Sequence, residues 1–156
     1  MDLDYLADYS QHLRELAEWH HQEWSYLRPG EILEARIERL KGRCGRCAIP
    51  TVIIAHESEM LVGSAMLVDH DMDIRMELSP WLAGVYVRPE NRGSGIGTAL
   101  VRRVVQEAAV LNIRKLYLYT PDREKFYQRL GWSTHERVGY RGTTVAIMSI
   151  AIHRSP

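Results

Sequence analysis

Apolar positions follow two different periods along this chain, and each period predicts a different kind of element. Apolar residues recur every three or four positions in the first forty residues, which indicates amphipathic helices broken by Pro29 and Gly30. From Thr51 onward, short runs of β-branched and aromatic residues bounded by polar turns indicate strands. The predicted elements are helices at 10–24 and 31–41, strands at 51–55, 61–68 and 81–87, a helix at 95–111, a strand at 116–119, a short helix at 122–130, and strands at 132–138 and 144–150.

This order of elements predicts an α/β fold of the mixed α+β kind. Its core is expected to be a central mixed, mostly antiparallel sheet flanked by helices. A length of 156 residues suits a single domain with one continuous core. The sequence shows no internal repeat, low-complexity segment or linker, so we expect one domain over residues 1–156.

Charge and cysteine usage narrow the function classes. Twenty basic residues balance twenty acidic ones, whereas nucleic-acid-binding domains usually carry a basic excess. The acidic N-terminus is unlike a signal peptide, and no apolar run approaches the roughly 20 residues of a membrane span. We therefore expect a cytoplasmic protein without nucleic acid or membrane partners. Cys44 and Cys47 lack the two further ligands of a zinc site, so we expect two reduced thiols and no metal.

The most informative segment is residues 85–98, where a strand runs into a glycine-rich turn that opens a helix. Glycines let the backbone approach a ligand closely. The first helical turn offers unpaired N–H groups and the positive end of the helix dipole, which suit a phosphate or diphosphate. Arg92 adds a positive charge. The alternative interpretation is a tight turn with a purely structural role.

Three anion-binding motifs compete for this loop. A P-loop would need a lysine after the glycines, and a dinucleotide fold would need Gly-x-Gly-x-x-Gly with an acidic residue ending the next strand. Neither is present, although a protein that binds ATP or NAD stays an alternative. The third pattern, Arg/Gln-x-x-Gly-x-Gly/Ala, is met by Arg92, Gly95 and Gly97. It resembles the pyrophosphate loop of the GNAT superfamily of N-acetyltransferases, and the run Phe-Tyr-Gln-Arg-Leu-Gly-Trp at 126–132 resembles a second signature of that superfamily.

The resemblance implies an acetyl-CoA-dependent N-acetyltransferase. It covers about residues 50–150, the expected acyl-CoA-binding core, while residues 1–45 fit the superfamily's variable helical region that faces the substrate. A primary amine, on a small molecule or on a peptide or protein, would attack the thioester directly in a ternary complex. A non-catalytic module that senses acyl-CoA is the alternative from another class.

The resemblance also implies roles for individual residues. The backbone of Val85, Tyr86 and Val87 would pair with the pantetheine arm. Tyr127 would be the general acid, because a phenol stays protonated at neutral pH; its alternative role is that of a core tyrosine. Thr120 stands where many relatives carry a cofactor-contacting Asn. The residues expected to hold the diphosphate are Arg92, Gly93, Ser94, Gly95, Ile96, Gly97 and Thr98.

The general base departs from the superfamily pattern. Relatives place Glu or His on the strand before the loop, where this chain has Trp81 and Ala83, and neither titrates. The nearest acidic cluster is residues 70–77, which could attract an ammonium and accept its proton. Asp73 is the predicted base; a proton transfer through water or an ordinary solvated loop is the alternative. The stretch at 19–24, with two His and two Trp, is expected to pack its tryptophans.

Overall fold

Seven strands form one mixed sheet in the computed structural model, which describes residues 1–153, in the order β1-β2-β3-β4-β5-β7-β6. The strands are β1 (Asp2–Tyr5), β2 (Thr51–Glu57), β3 (Met60–Val68), β4 (Trp81–Val87), β5 (Lys115–Thr120), β6 (Ser133–Tyr140) and β7 (Thr143–Ala151). The helices are α1 (Leu13–Trp24), α2 (Leu33–Lys41), α3 (Ile96–Val110) and α4 (Glu124–Arg129). The predicted fold class is confirmed.

The central pair of strands, β4 and β5, is the parallel one, and it separates almost at once. Trp81 pairs with Tyr117, whose N–H donates to the carbonyl oxygen of Pro80 at 3.0 Å. The neighbouring pairs β3–β4 and β5–β7 are antiparallel and continue over most of their strands. Beyond Trp81 the sheet therefore has a gap at its centre.

Helices cover both faces of this sheet and divide the core into two layers. α3 and α4 pack on one face, where Leu100 and Tyr127 join a buried cluster with Leu82 and Leu118 of the central strands. α1 and α2 pack on the other face through a second cluster, to which β4 contributes Trp81. Because side chains alternate along a strand, β4 supplies both layers. Any molecule that enters the gap between β4 and β5 thus touches both.

Two features at the N-terminus differ from the prediction. Strand β1 was not predicted; it pairs antiparallel with β2, Asp4 opposite Ile54, and Leu3 and Tyr5 pack against the core. Its alternation of acidic and apolar residues is the period of a strand, but four residues give a weak signal. Helix α1 starts at Leu13 instead of residue 10, because the three preceding residues form a 3₁₀ turn.

None of the helices within residues 1–153 has the length and apolar character needed to cross a bilayer.

Candidate functional site

A cavity of ≈ 1140 Å³ occupies the gap between β4 and β5. Its wall includes Gly95 and Tyr127 from the α3–α4 layer and Trp24, Arg36 and Asp71 from the α1–α2 side. The cavity therefore connects the two faces of the sheet. A site of this shape can hold two molecules that meet at the gap.

A β-bulge in β4 shapes the edge of the gap. The register with β3 shifts between Ser64 and Met66, so that Gly84 and Val85 lie opposite a single residue. Gly84 has φ +59°, and a Cβ there would lie 2.5 Å from Met66 Cε. Such a bulge leaves one residue out of the ladder and bends the strand. The glycine is required by this backbone geometry.

The glycine-rich loop opens onto the cavity. Gly93 and Gly95 adopt φ of +82° and +87°, and a Cβ at either position would have no heavy atom within 4 Å. The amide of Ala99 makes the first bond of α3, to the carbonyl of Gly95 at 3.1 Å. The N–H groups from Ile96 to Thr98 precede that bond and lack a partner within the helix. They form a cluster of donors beside open space.

Two residues predicted to bind the diphosphate, Arg92 and Ser94, also stabilise the loop through their side chains. Arg92 Nε donates to the carbonyl oxygen of Val87 at 2.8 Å, and the guanidinium lies 5.4 Å from the ring centre of Tyr86. Ser94 Oγ donates to the carbonyl oxygen of Asn91 at 2.6 Å. Arg92 still forms part of the cavity wall, so its charge is close to the cluster of N–H donors.

Tyr127 lies on α4 at the same cavity and is 8% exposed. Its ring centre is 5.0 Å from that of Phe126 and 6.1 Å from that of Trp132, so it is both a packing residue and a wall residue. Burial raises the pKa of the Tyr127 phenol to about 12. The hydroxyl therefore carries its proton throughout the physiological pH range.

Comparison with family models decides the identity of this fold. Residues 49–134, more than half of the chain, match the acetyltransferase (GNAT) domain. The chain belongs to the GNAT acetyltransferase family. The match includes the glycine loop and ends two residues beyond the second predicted signature.

Solved structures with the same fold include other acetyltransferases at low identity. An aminoglycoside 6'-acetyltransferase type Ii superposes with a TM-score of 0.76 at 19% identity, with both chains covered completely. An aminoglycoside 6'-N-acetyltransferase complexed with coenzyme A gives 0.75 at 17%, covering 100% of this chain and 99% of its own. A ribosomal-protein-alanine N-acetyltransferase from Brucella melitensis gives 0.74 at 18%, covering 97% and 99%. Comparison with curated protein sequences gives no significant match.

The other predicted GNAT cofactor residue, Thr120, has a local structural role. It is buried, and its Oγ1 accepts the N–H of Arg123 at 3.0 Å, in the turn that leads into α4. The acceptor side of the hydroxyl is thus engaged, and its hydrogen is the part left to contact a ligand.

The bulge in β4 is held by a chain of side-chain hydrogen bonds that was not predicted. Ser64 Oγ donates to the carbonyl oxygen of Gly84 at 2.8 Å and lies 2.9 Å from His20 Nε2. Because the single hydrogen of the serine hydroxyl goes to Gly84, His20 must donate from Nε2. Burial, together with the nearby guanidinium of Arg36, lowers the pKa of His20 to about 3, so the imidazole is neutral at physiological pH. The tryptophans beside His20 pack as predicted: the ring centres of Trp19 and Trp24 lie 5.5 and 6.2 Å from that of Tyr86.

The buried imidazole predicts a specific loss of stability in acid. The unfolded chain binds a proton at His20 below pH 6.5, whereas the folded chain binds it only near pH 3, so stability falls as the pH drops through that window. The cost is about 1.4 kcal/mol per pH unit, or about 2 kcal/mol between pH 6.5 and 5. His20→Gln keeps a donor and removes the titration, so its free energy of unfolding in urea should lose about 2 kcal/mol less than the wild-type value over this range.

His153→Gln is the matched control, because it makes the same substitution at an exposed histidine. Its unfolding free energy should follow the wild-type pH dependence. Parallel curves for the wild type and His20→Gln would contradict a neutral buried His20.

The acidic loop brings two carboxylates to the GNAT cavity in different environments. The side chain of Asp73, the predicted base, is 63% exposed and forms an ion pair with Arg141. Asp71 is half-buried at the cavity wall, and burial raises the pKa of its carboxyl to about 7, against the opposing effect of Arg43. The difference in burial between two acids two positions apart could not be read from their sequence.

A group of four arginines on the α1–α2 side of the cavity was also missed. The members are Arg28, Arg36, Arg39 and Arg43. Spacings of three and four residues from 36 to 43 were the available signal; Arg36 and Arg39 lie on α2, and Arg43 lies in the turn that follows it. Potential metal sites are a separate matter: within the described part of the chain no group of three His, Cys, Asp or Glu residues could hold an ion, and Cys44 and Cys47 are free thiols.

Proposed function

We propose that this GNAT protein transfers an acetyl group from acetyl-CoA to a primary amine, on a small molecule or on a peptide or protein. The amine attacks the thioester directly while both substrates are bound. The observation that carries the proposal is the cluster of free backbone N–H groups at the start of α3, beside a cavity that connects both faces of the sheet. In this proposal residues 50–150 bind the donor and residues 1–45 face the acceptor, within one domain.

The donor side follows from the backbone. The N–H groups of Gly93 to Thr98, with the charge of Arg92, would bind the diphosphate. The edge of β4 that turns away from β5 would accept the pantetheine arm along Val85, Tyr86 and Val87, as an added strand. One structure with this fold is a complex with coenzyme A, which supports the assignment.

We assign the acid role to Tyr127. When the new N–C bond forms and the C–S bond breaks, the thiolate needs a proton. The buried phenol is protonated at neutral pH and lies at the cavity wall. The proposed role of Thr120 is limited to a hydrogen bond from its hydroxyl to acetyl-CoA.

We assign the base role to Asp71 in preference to Asp73. An acceptor amine is charged in water and must lose a proton before attack. A carboxylate with a pKa of about 7 is ionised in half of the molecules at neutral pH and is a good acceptor for that proton. Asp73 already neutralises Arg141 at the exposed rim, which makes it the weaker candidate.

An assay of thiol release from acetyl-CoA with a panel of amines tests the proposal. Tyr127→Phe should lower kcat about 100-fold while leaving the Kd for coenzyme A within twofold, because the lost hydroxyl acts in the transition state. Tyr117→Phe is the matched control: Tyr117 is also buried in the sheet but belongs to the opposite core layer and not to the cavity wall.

Two other outcomes would overturn the proposal. Tight coenzyme A binding without amine-dependent thiol release, and without an effect of Tyr127→Phe, would favour the sensor. Thermal stabilisation by ATP or NAD but not by coenzyme A would favour a nucleotide-binding protein. A ligand at 100 times its Kd adds about 2.7 kcal/mol to stability, so the true ligand is easily recognised.

A further inference from the structure

We propose that the acceptor amine also carries an anionic group, a carboxylate or a phosphate, and that Arg43 binds this group with help from Arg28. The inference rests on the proposed function, because it concerns the acceptor side of the same cavity. It specifies a substrate class: amino acids, or amines that carry a phosphate group.

Two of the four arginines on the α1–α2 side of the cavity have partners within the protein. Arg39 donates to Glu31 through Nη2 at 2.8 Å and Nε at 3.3 Å. Arg36 is buried; its Nη2 lies 3.3 Å from Glu31, and its Nε donates to His21 Nδ1 at 3.2 Å. The single carboxylate of Glu31 therefore serves two guanidinium groups. These arginines form a fixed internal network.

Arg43 is half-buried at the cavity wall, and it has no ion pair with any residue in the described range. Arg28 is exposed at the same wall and also lacks an ion pair within that range. Burial and the nearby charges of Arg39, Arg28 and Arg36 lower the pKa of Arg43. The electrostatic potential at this point is positive and poorly compensated. An anion bound here would relieve the repulsion and satisfy a guanidinium that is largely withdrawn from water.

The acidic groups at this end of the cavity do not cancel the excess. They are Glu23, which is exposed, Asp71, Asp73, which is paired with Arg141, and Glu31, which lies outside the cavity wall and is occupied by two arginines. Asp71 interacts with Arg43 through space, but beyond ion-pair distance. With Arg141 included, five guanidinium groups thus face four carboxylates, of which Glu31 and Asp73 are already paired with arginines and Asp71 is only partly ionised at neutral pH.

The neighbouring positions of Arg43 and Asp71 suit a molecule with charges of both signs. Its amine would lie toward Asp71, and its anionic group toward Arg43. A polycation, such as an aminoglycoside, would instead bring positive groups to the arginines. The electrostatics of this cavity therefore favour an acceptor with an anionic group over an aminoglycoside of the kind named for two structures with this fold.

Matched acceptor pairs test the inference. β-Alanine is compared with β-alaninamide, and O-phosphoethanolamine with ethanolamine, so that each pair differs in the anionic group. At a pH above the acid limb of the kcat/KM profile, we expect the anionic member to have the higher kcat/KM, and Arg43→Gln to lower that value about 10- to 100-fold while changing the neutral member less than twofold. The two pairs distinguish carboxylate from phosphate. Arg102→Gln, on the exposed face of α3 and outside the cavity, is the control.

A second measurement separates binding from a structural effect. Arg43 lowers the pKa of Asp71, so Arg43→Gln should also move the acid limb of the kcat/KM profile to higher pH. Equal use of anionic and neutral acceptors by the wild type, or an equal loss for both in Arg43→Gln, would overturn the inference.

The two proposals can fail separately. If coenzyme A binds and no amine is acetylated, the proposed transfer fails, and calorimetry then measures β-alanine and O-phosphoethanolamine binding to the coenzyme A complex. Loss of that binding in Arg43→Gln would support the anion site, and its absence in the wild type would overturn it.

Discussion

Gly95→Glu is expected to reduce the affinity for coenzyme A by about 100- to 1000-fold. The new carboxylate would stand at the start of α3, where the free N–H groups are proposed to hold the diphosphate. Two negative charges about 4 Å apart repel by about 4 kcal/mol near a protein surface, which corresponds to about three orders of magnitude in Kd. Isothermal titration calorimetry with coenzyme A measures the change directly.

Gly30→Glu controls for backbone strain and added charge. Gly30 has φ +86°, almost equal to that of Gly95, has open space around its Cβ position and lies outside the cavity wall. Both variants should lose similar stability from the left-handed backbone, about 1–2 kcal/mol, but Gly30→Glu should bind coenzyme A within twofold of the wild type. Unchanged affinity in Gly95→Glu would show that the diphosphate binds elsewhere.

Asp71→Asn is expected to lower kcat/KM for the acceptor about 100-fold, the usual scale of a lost general base. The wild-type profile should rise with pH and level off above about 7, because the ionised carboxylate is the active form. This limb should be absent in the variant. Stability should not fall, because burial disfavours the charged carboxylate in the folded state and the neutral amide removes that cost.

Asp73→Asn is the matched control two residues away. Its side chain is exposed and paired with Arg141, so its loss should change kcat/KM less than threefold. The reverse result, a large loss in Asp73→Asn with a normal profile in Asp71→Asn, would restore Asp73 as the base. Similar small losses in both would point to proton transfer through water.

The parts of the site that could be predicted are those whose chemistry is contiguous in the chain. A strand, a glycine turn and a helix start follow one another within residues 85–98, and the glycine positions themselves indicate the backbone geometry of the turn. Tyr127 was likewise recognisable from its immediate neighbours. Gly93 and Gly95 adopt positive φ values, a backbone conformation that glycine reaches at no steric cost.

The parts that could not be predicted depend on residues far apart in sequence. His20 and Ser64 are 44 positions apart, and Ser64 and Gly84 are 20 apart, yet together they fix the bulge. Their contact depends on how α1 packs over the sheet. In the same way, Asp71 and Asp73 differ in burial only because of the tertiary structure around their loop. Periodicity predicts the elements, but it does not predict which polar residues the packed layers enclose.

The early divergence of β4 from β5 has a consequence for how the two substrates reach each other. Because the gap passes from one face of the sheet to the other, the nucleotide end of the proposed donor and the proposed acceptor can enter the cavity from opposite faces. Neither substrate would have to pass through the space that the other occupies. In the proposed function, the α1–α2 side that faces the acceptor can therefore change its chemistry in evolution without changing the residues that bind the donor.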